Sequence, residues 1–550
     1  MRTSVLVVLS GLALAVTMVP ASHAQGPTFT INQFEVIGNS RITRAEIQQV
    51  LGPYVGTGRS FEDVAKARAA VEGFYAARGM EFVQVVVGQQ EVKDGLIKML
   101  VVEGVLRKIA VKGNQYFDSA NVIAALPTLQ TGAMPNLGAL SANTQLSNEN
   151  AAKQVRVALG SLGASGDLEA VVDVTDSNPQ RLFFTLDNTG TRATGRYRIG
   201  VAYQNANLFN RDHQASISYT TSPDSPSGVH VNFYSLGYRI PFYALGDSLE
   251  FLYGKSSVNT PSSSPTLGGV LGITGKGNVA ALHYNHNLEK VGERSAKVNF
   301  GIEDRYIDSR CRTADGVDIS IAPPTPPVSG CVPYRTRPVS IAYGGQIQHS
   351  GSVLDYNVGY SYNLASGAQY TSPDGRRDRY SYLTPGSRPT RDHFQVLRGS
   401  ATYFAALPAD WQTRLAITGQ YTADPLLASE QLSLAGVTAV RGLDERVVTA
   451  DNGIVLNAEI YTPEVANKVG LLGELRLLGF VDMGKGFNRQ IGATGIPDTV
   501  FTSSLGAGFR YAFGRRITLR LDAARVGRSG LPANAGNGDL KVLLNLVIGS

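Results

Sequence analysis

Two short stretches hold residues whose types and spacing stand out chemically, Val440-Arg441-Gly442 and Phe480-Val481-Asp482-Met483-Gly484. The first sets a fixed cation beside a flexible glycine, between two alternating segments at 412–422 and 453–463. In the second, Phe480, Asp482 and Gly484 are two apart and share one face of a strand, because strand side chains alternate. Val481 and Met483 suit an apolar face, which turns Asp482 the other way. A lone carboxylate in such a wall calls for a cation. Arg441 supplies one if its segment folds back, with Gly442 allowing a tight turn at the tip. The chemistry on offer is an ion pair that pins a loop. Taken alone, an Arg-Gly pair also fits a solvated turn, and Asp482 an ordinary polar position.

No catalytic constellation accompanies these residues. The seven histidines are scattered. His283 and His286 are three apart on a strand, so they face opposite sides and cannot share a metal there. There is no Gly-x-Ser-x-Gly elbow, no phosphate loop and no cysteine cluster. Neither an enzyme nor a cofactor is expected.

What positions the pair is a chain with two periods. From about Thr28 to Asn178 helix and strand signals mix, and an internal repeat appears. "FEVIGNSRITRAEI" from Phe34 and "IAVKGNQYFDSANV" from Ile109 align Gly38-Asn39 with Gly113-Asn114, and Thr43 with Asp118. Thr43 and Asp118 are good helix N-caps, and Thr43 with Glu46 fits a capping box. A second helix follows in the first copy, capped by Ser60, with Phe61, Val64, Val71 and Phe74 on one face. Two strands then follow, 80–92 and 95–104, joined at Asp94-Gly95, a hairpin signal. Two βααββ modules result, at 28–104 and 105–178.

From residue 180 to 550 alternation is nearly continuous. Sixteen strand candidates begin near Arg181, Arg196, His213, Val229, Asp247, Asn278, Ser295, Val339, Val353, His393, Asp410, Gly453, Glu474, Thr502, Ile517 and Asp539. Connections after even strands are mostly tight; those after odd strands are mostly long and rich in Gly, Pro and Ser. Short turns on one side and long loops on the other is the layout of an outer-membrane β-barrel. An even count puts both barrel ends, and so the modules, on the short-turn periplasmic side. Along 295–305, Ala296, Val298, Phe300 and Ile302 alternate with Lys297, Asn299, Glu303 and Arg305, apolar toward lipid and charged toward a wet lumen. A soluble β-sandwich would alternate too, but without one-sided long loops. Arg441 falls in the sixth long loop, 424–452, and Asp482 in the thirteenth strand.

Composition agrees. Charged residues are 17% of the 550, below the roughly 25% of soluble domains. The net charge of +6 is spread out, without a basic run, so no nucleic-acid partner is expected. Residues 1–24 read as a cleaved export signal: Arg2, an apolar run from Val5 to Val19, then Ser22-His23-Ala24. After Ala24 nothing is long and apolar enough for a transmembrane helix. The two cysteines, Cys311 and Cys331, read as one disulfide tying off a Pro-rich loop in an oxidising compartment. Closing such a loop stabilises by roughly 3 kcal/mol on the chain-entropy model.

Together, Val440-Arg441-Gly442 and Phe480-x-Asp482-x-Gly484 resemble the paired motifs of the superfamily that includes BamA and the TpsB transporters. The modules resemble its POTRA domains. Two of them before sixteen strands resemble the TpsB branch, the haemolysin secretion/activation (ShlB/FhaC/HecB-like) transporters. The stretch Leu186–Gly195, "LDNTGTRATG", is similar to the start of their barrels. The resemblance covers nearly all of the chain after the export signal. It implies an outer-membrane translocator that exports one secreted partner exoprotein in two-partner secretion. It also implies POTRA domains that recognise the client, and a sixth loop that enters the lumen so that Arg441 bonds Asp482. The expected setting is a monomeric barrel in outer-membrane lipid, with its POTRA domains in the periplasm. Leu443 stands where the family usually has an aromatic residue, and Ser550 ends the chain where a terminal aromatic is common. A BamA-like assembly factor and a diffusion porin are the alternative functions.

Overall fold

The computed structural model describes residues 28–162, 166–192, 194–224, 230–257, 276–308, 332–371, 375–492, 494–514 and 516–550. The expected export signal and both cysteines lie outside the described residues. The chain falls into two compact units, one comprising the residues up to Val105 with 162–167, the other Leu106–Ser161 with Leu168–Ser550.

In the first unit, strand Gln33–Ile37 is followed by helices Arg44–Leu51 and Phe61–Ala76 and strands Val83–Val86 and Leu96–Glu103. The last strand lies centrally, parallel to the first and antiparallel to Val83–Val86. Both helices start at capping boxes, Thr43 with Glu46 and Ser60 with Asp63. The long helix buries Val64, Ala67, Val71 and Tyr75, whereas Phe61 is 63% exposed and Phe74 half-buried. Tyr75 replaces the expected Phe74 because eleven residues from Val64 are close to three whole turns. The strand expected over 80–92 covers only Val83–Val86. Beyond it the Gln90 side chain pairs with the Lys98 backbone, accepting from its N–H at 2.8 Å and donating to its C=O at 2.9 Å. Asp94 and Gly95 both take positive φ, as the hairpin signal requires.

The Gly-Asn repeat has a physical cause. Gly38 has φ +88°, and a Cβ there would come within 2.3 Å of the Val101 carbonyl oxygen. Gly113 repeats this against Val174 O, at φ +82° and 2.4 Å. Each following asparagine donates back to a carbonyl three residues on, Asn39 to Ile42 and Asn114 to Phe117. A carboxylate at the end of each module's last strand then caps the turn. Glu103 accepts from the Ser40 and Arg41 amides at 3.0 and 3.1 Å. Asp176 accepts from those of Gln115, Tyr116 and Phe117.

In the second unit, strand Leu106–Lys112, helices Ser119–Ala124 and Leu137–Asn148, and strands Lys153–Ser161 and Leu168–Asp176 repeat the order and the sheet topology. This module joins the barrel through a buried polar joint. Lys153 Nζ lies 2.5 Å from Asp212 Oδ2, with both side chains at most 1% exposed. Asn121 accepts from Lys153 and donates to Asp212, and the Tyr243 hydroxyl donates to Asp212 as well.

The barrel strands are β1 (Gln180–Asp187), β2 (Arg198–Leu208), β3 (His213–Thr221), β4 (Asn232–Phe242), β5 (Asp247–Ser256), β6 (Gly277–Asn287), β7 (Arg294–Ile307) and β8 (Tyr334–His349). They continue as β9 (Ser352–Leu364), β10 (Gln395–Ala406), β11 (Gln412–Tyr421), β12 (Asn452–Tyr461), β13 (Glu474–Phe487), β14 (Thr499–Phe513), β15 (Ile517–Arg528) and β16 (Leu540–Gly549). They close into one antiparallel ring in chain order, β16 pairing with β1. Side chains extend this last seam at both ends. Asn188 donates to Val542 O at 2.7 Å and accepts from Leu544 N at 2.8 Å. Ser550 Oγ accepts from Leu182 N at 2.9 Å. Asp212 and Tyr243 sit in the β2–β3 and β4–β5 turns, so the second module lies on the short-turn side.

Two outcomes test these joints. Burial opposes ionisation of Glu103, but bonds from Ser40 and Arg41 outweigh it and hold its carboxyl below the ordinary value of 4.5. A lowered carboxyl pKa stabilises above the unfolded value and loses that contribution as pH falls through the folded one. Hydrogen-exchange protection of the Ser40 and Arg41 amides will therefore fall below pH 4.5, and Glu103→Gln will abolish that pH dependence. Lys153→Ala leaves Asp212 buried without its cation, a loss of about 3–5 kcal/mol. Calorimetry in detergent will show a lowered transition, largely recovered in a Lys153→Met/Asp212→Leu double variant.

Candidate functional site

The sixth long loop, between β11 and β12, folds into the barrel. Its neck is a two-residue ladder pairing Leu432 with Ala450 and Ser433 with Thr449. Beyond it, Leu434 N bonds Val448 O at 2.9 Å and Arg446 N bonds Ala435 O at 3.1 Å. Leu434, Ala435, Ala439, Val440, Leu443 and Val448 pack against Val455, Val500 and Val526 of β12, β14 and β15. This apolar seat keeps the loop down in the lumen; burying each of its leucines and valines is worth roughly 1.5–3 kcal/mol. Leu443, in place of an aromatic, is part of it.

Arg441 sits in this loop and is 3% exposed. It grips Asp482 of β13 as a fork, Nε to Oδ2 at 2.7 Å and Nη2 to Oδ1 at 2.8 Å. Its backbone N–H adds a third bond to Oδ2 at 3.2 Å. A planar guanidinium meets a carboxylate in this way with both strength and direction, which an ammonium cannot match. The guanidinium carbon lies 3.5 Å from the centre of the Phe480 ring, so the cation also rests on a π-face.

The flanking residues make room. Gly442 has φ +96°, and a Cβ there would press within 3.0 Å of Val526 Cγ2 on β15. A Cβ at Gly484 would meet Thr502 Oγ1 at 2.5 Å and the Val440 side chain at 3.4 Å. Phe480, Asp482 and Gly484 thus share the inward face as their spacing requires, while Val481 and Met483 are 43% and 45% exposed on the outside.

Asp482 is not the lone carboxylate expected from its strand. Arg441 Nη1 also lies 2.8 Å from Glu459 of β12 and 3.3 Å from Asp522 of β15. Arg510 forks Asp522 at 2.6 and 2.9 Å, and Arg414 is 3.7 Å from Glu459. Arg414, Arg441 and Arg510 face Glu459, Asp482 and Asp522, three cations against three anions, so the cluster is neutral in sum. Asn457 ties wall to loop, donating to Asp482 Oδ1 at 2.8 Å and to Ala439 O at 2.7 Å. Sequence reasoning missed these partners. Asn457 and Glu459 sit two apart at inward positions of β12, opposite Asp482 and Phe480 in register. Reading every strand for inward charge was the available signal.

A second buried pair lies near the loop's return to β12. Arg388, 1% exposed, reaches from the β9–β10 loop to Asp451 at 2.5 Å. Asp451 also accepts from the backbone amides of Leu426 and Arg489 and from the Gln431 side chain. Three loops therefore converge on one carboxylate. No motif around Arg388 announces this.

A family model described as haemolysin secretion/activation protein ShlB/FhaC/HecB matches residues 166–510, and one described as POTRA domain, ShlB-type, matches 29–104. The heme/hemopexin transporter protein HuxB of Haemophilus influenzae is 21% identical over 522 residues, 92% of this chain and 85% of that protein. The outer membrane transporter CdiB of Escherichia coli O6:K15:H31 is 23% identical over 81% of this chain and 71% of its own length. Among solved structures, CdiB from Escherichia coli superposes with a TM-score of 0.71 at 17% identity, covering 98% of this chain and 93% of the other. CdiB from Acinetobacter baumannii gives 0.68 at 17%, covering 96% and 91%. These structural likenesses establish the shared fold: POTRA domains before a sixteen-stranded barrel. With the family match spanning more than half of its length, the chain belongs to the haemolysin secretion/activation family ShlB/FhaC/HecB, the outer-membrane translocators of two-partner secretion.

Proposed function

We propose that Arg441 is the residue that holds the sixth loop in its working position while one extended exoprotein passes through the barrel. The observation that carries this reading is the Arg441–Asp482 fork inside the lumen. The client's N-terminal region is captured in the periplasm by residues 28–104 and 105–178, the two POTRA domains. Rim strands of their sheets, such as Val83–Val86 and Lys153–Ser161, offer backbone bonds that an extended segment of varied sequence can use. The client then moves through the lumen past the sixth loop, residues 424–452. Folding outside the cell gives direction, and the chain itself performs no catalysis. The barrel works as a monomer, with exposed side chains such as Phe300, Ile302, Ile341 and Val358 against lipid.

The exported cargo follows the same logic. The cargo proposed here is one large secreted partner exoprotein. Deleting the gene will remove one large secreted protein from the medium. Broad loss of outer-membrane barrels would instead indicate an assembly factor, and altered solute uptake alone a porin.

Arg441→Ala leaves Asp482 buried without its main cation, an uncompensated charge worth about 3–5 kcal/mol. The variant will lower secretion at least about tenfold, for which 1.4 kcal/mol suffices. The barrel will still assemble, judged by heat-modifiable migration. Arg441→Lys keeps the charge but loses the fork, and will fall between. Normal secretion by Arg441→Ala would remove the proposed role.

A further inference from the structure

The sixth loop has a second charged anchor, with the signs reversed. Glu430, 2% exposed, lies on its outer arm. Its Oε1 accepts from Arg305 Nη1 of β7 at 2.8 Å and from Thr336 Oγ1 of β8 at 3.4 Å. Its Oε2 accepts from Arg398 Nη2 of β10 at 3.3 Å. The Glu430 carbonyl takes further bonds from Arg398 and from Gln420 of β11, both at 3.1 Å. Next to it, the Tyr334 hydroxyl of β8 donates to Ser429 Oγ at 3.0 Å. Glu303 completes the group, accepting from Arg305 Nε at 2.8 Å. Two cations face two anions.

The two anchors stand on different stretches of the wall. Arg305 and Arg398 are on β7 and β10, whereas Asp482 is on β13, six and three places away in a ring of sixteen. On one stretch the loop supplies the cation and the barrel the carboxylates; on the other the loop supplies the carboxylate and the barrel the cations. A loop tied at one place can swing aside, whereas a loop tied at two separate places along the wall is held across the lumen. The anchors also differ in depth. Asp482 is in the middle of β13, but Arg305 is two residues from the long-loop end of β7, and Arg398 three residues into β10 from the same end. The outer arm can therefore detach while Arg441 stays seated.

We propose that Glu430 is a second positioning residue for transport, and that release of its clamp on Arg305 and Arg398 opens the outer half of the lumen to the client. This rests on the proposed function, with the added reading that the sixth loop seated in the lumen obstructs it. The test uses the purified full chain in planar lipid bilayers, comparing parent, E430Q, E430D and R441A, with secretion measured in parallel. E430Q keeps the shape and removes the charge; it will raise the time spent open roughly 5–10-fold, the range expected for a coupling of this kind. E430D keeps the charge and will stay nearer the parent. Parental conductance for E430Q, with R441A raised, overturns the Glu430 clamp alone. Parental conductance for both overturns the obstruction itself. Should E430Q fail to insert, R398Q carries the test: increased opening supports the clamp, and parental behaviour overturns it.

Discussion

A strand that crosses lipid has no water to bond its backbone, so every N–H and C=O must find a partner within the sheet. The rest of the structure follows from this demand. It closes β1–β16 into a ring, and at the last seam it recruits side chains: Asn188 and Ser550 supply bonds that the β1 and β16 backbones do not make to each other. Closure also creates a lumen that must be occupied or filled with water. The sixth loop occupies it, with apolar side chains seated on Val455, Val500 and Val526.

A loop inside a barrel brings its charges with it, and each needs a counter-charge. Around Arg441 three cations meet three anions, and around Glu430 two meet two. Such groups are weak sources of net stability, because desolvation offsets much of the attraction. Their value is positional: the Arg441 fork admits one orientation, and Glu430 reaches only the wall that carries Arg305 and Arg398. Charge thus sets where the loop lies, while apolar packing keeps it inside.

The same division appears in the modules. Buried valines and leucines make their cores, but buried polar groups set their geometry. Glu103 and Asp176 hold the Gly-Asn turns, and the Lys153–Asp212 pair fixes the second module to the short turns of β2–β3 and β4–β5. That joint ties the second module directly to the barrel.

The sixteen strands, the one-sided long loops and the module repeat were legible in the sequence because each rests on local rules: period two, turn chemistry and helix capping. The inward face of Asp482 and the glycine at 442 were legible for the same reason. Phe74 misled because small phase errors accumulate along a helix, and the strand at 80–92 because a glutamine side chain can stand in for backbone pairing. What only the tertiary structure decided is which charges meet. Glu459, Asp522 and Arg510 join Arg441, Glu430 finds Arg305 across more than a hundred residues, and Arg388 finds Asp451. Alternation says that a side chain points inward, but barrel closure and loop depth determine what it meets there.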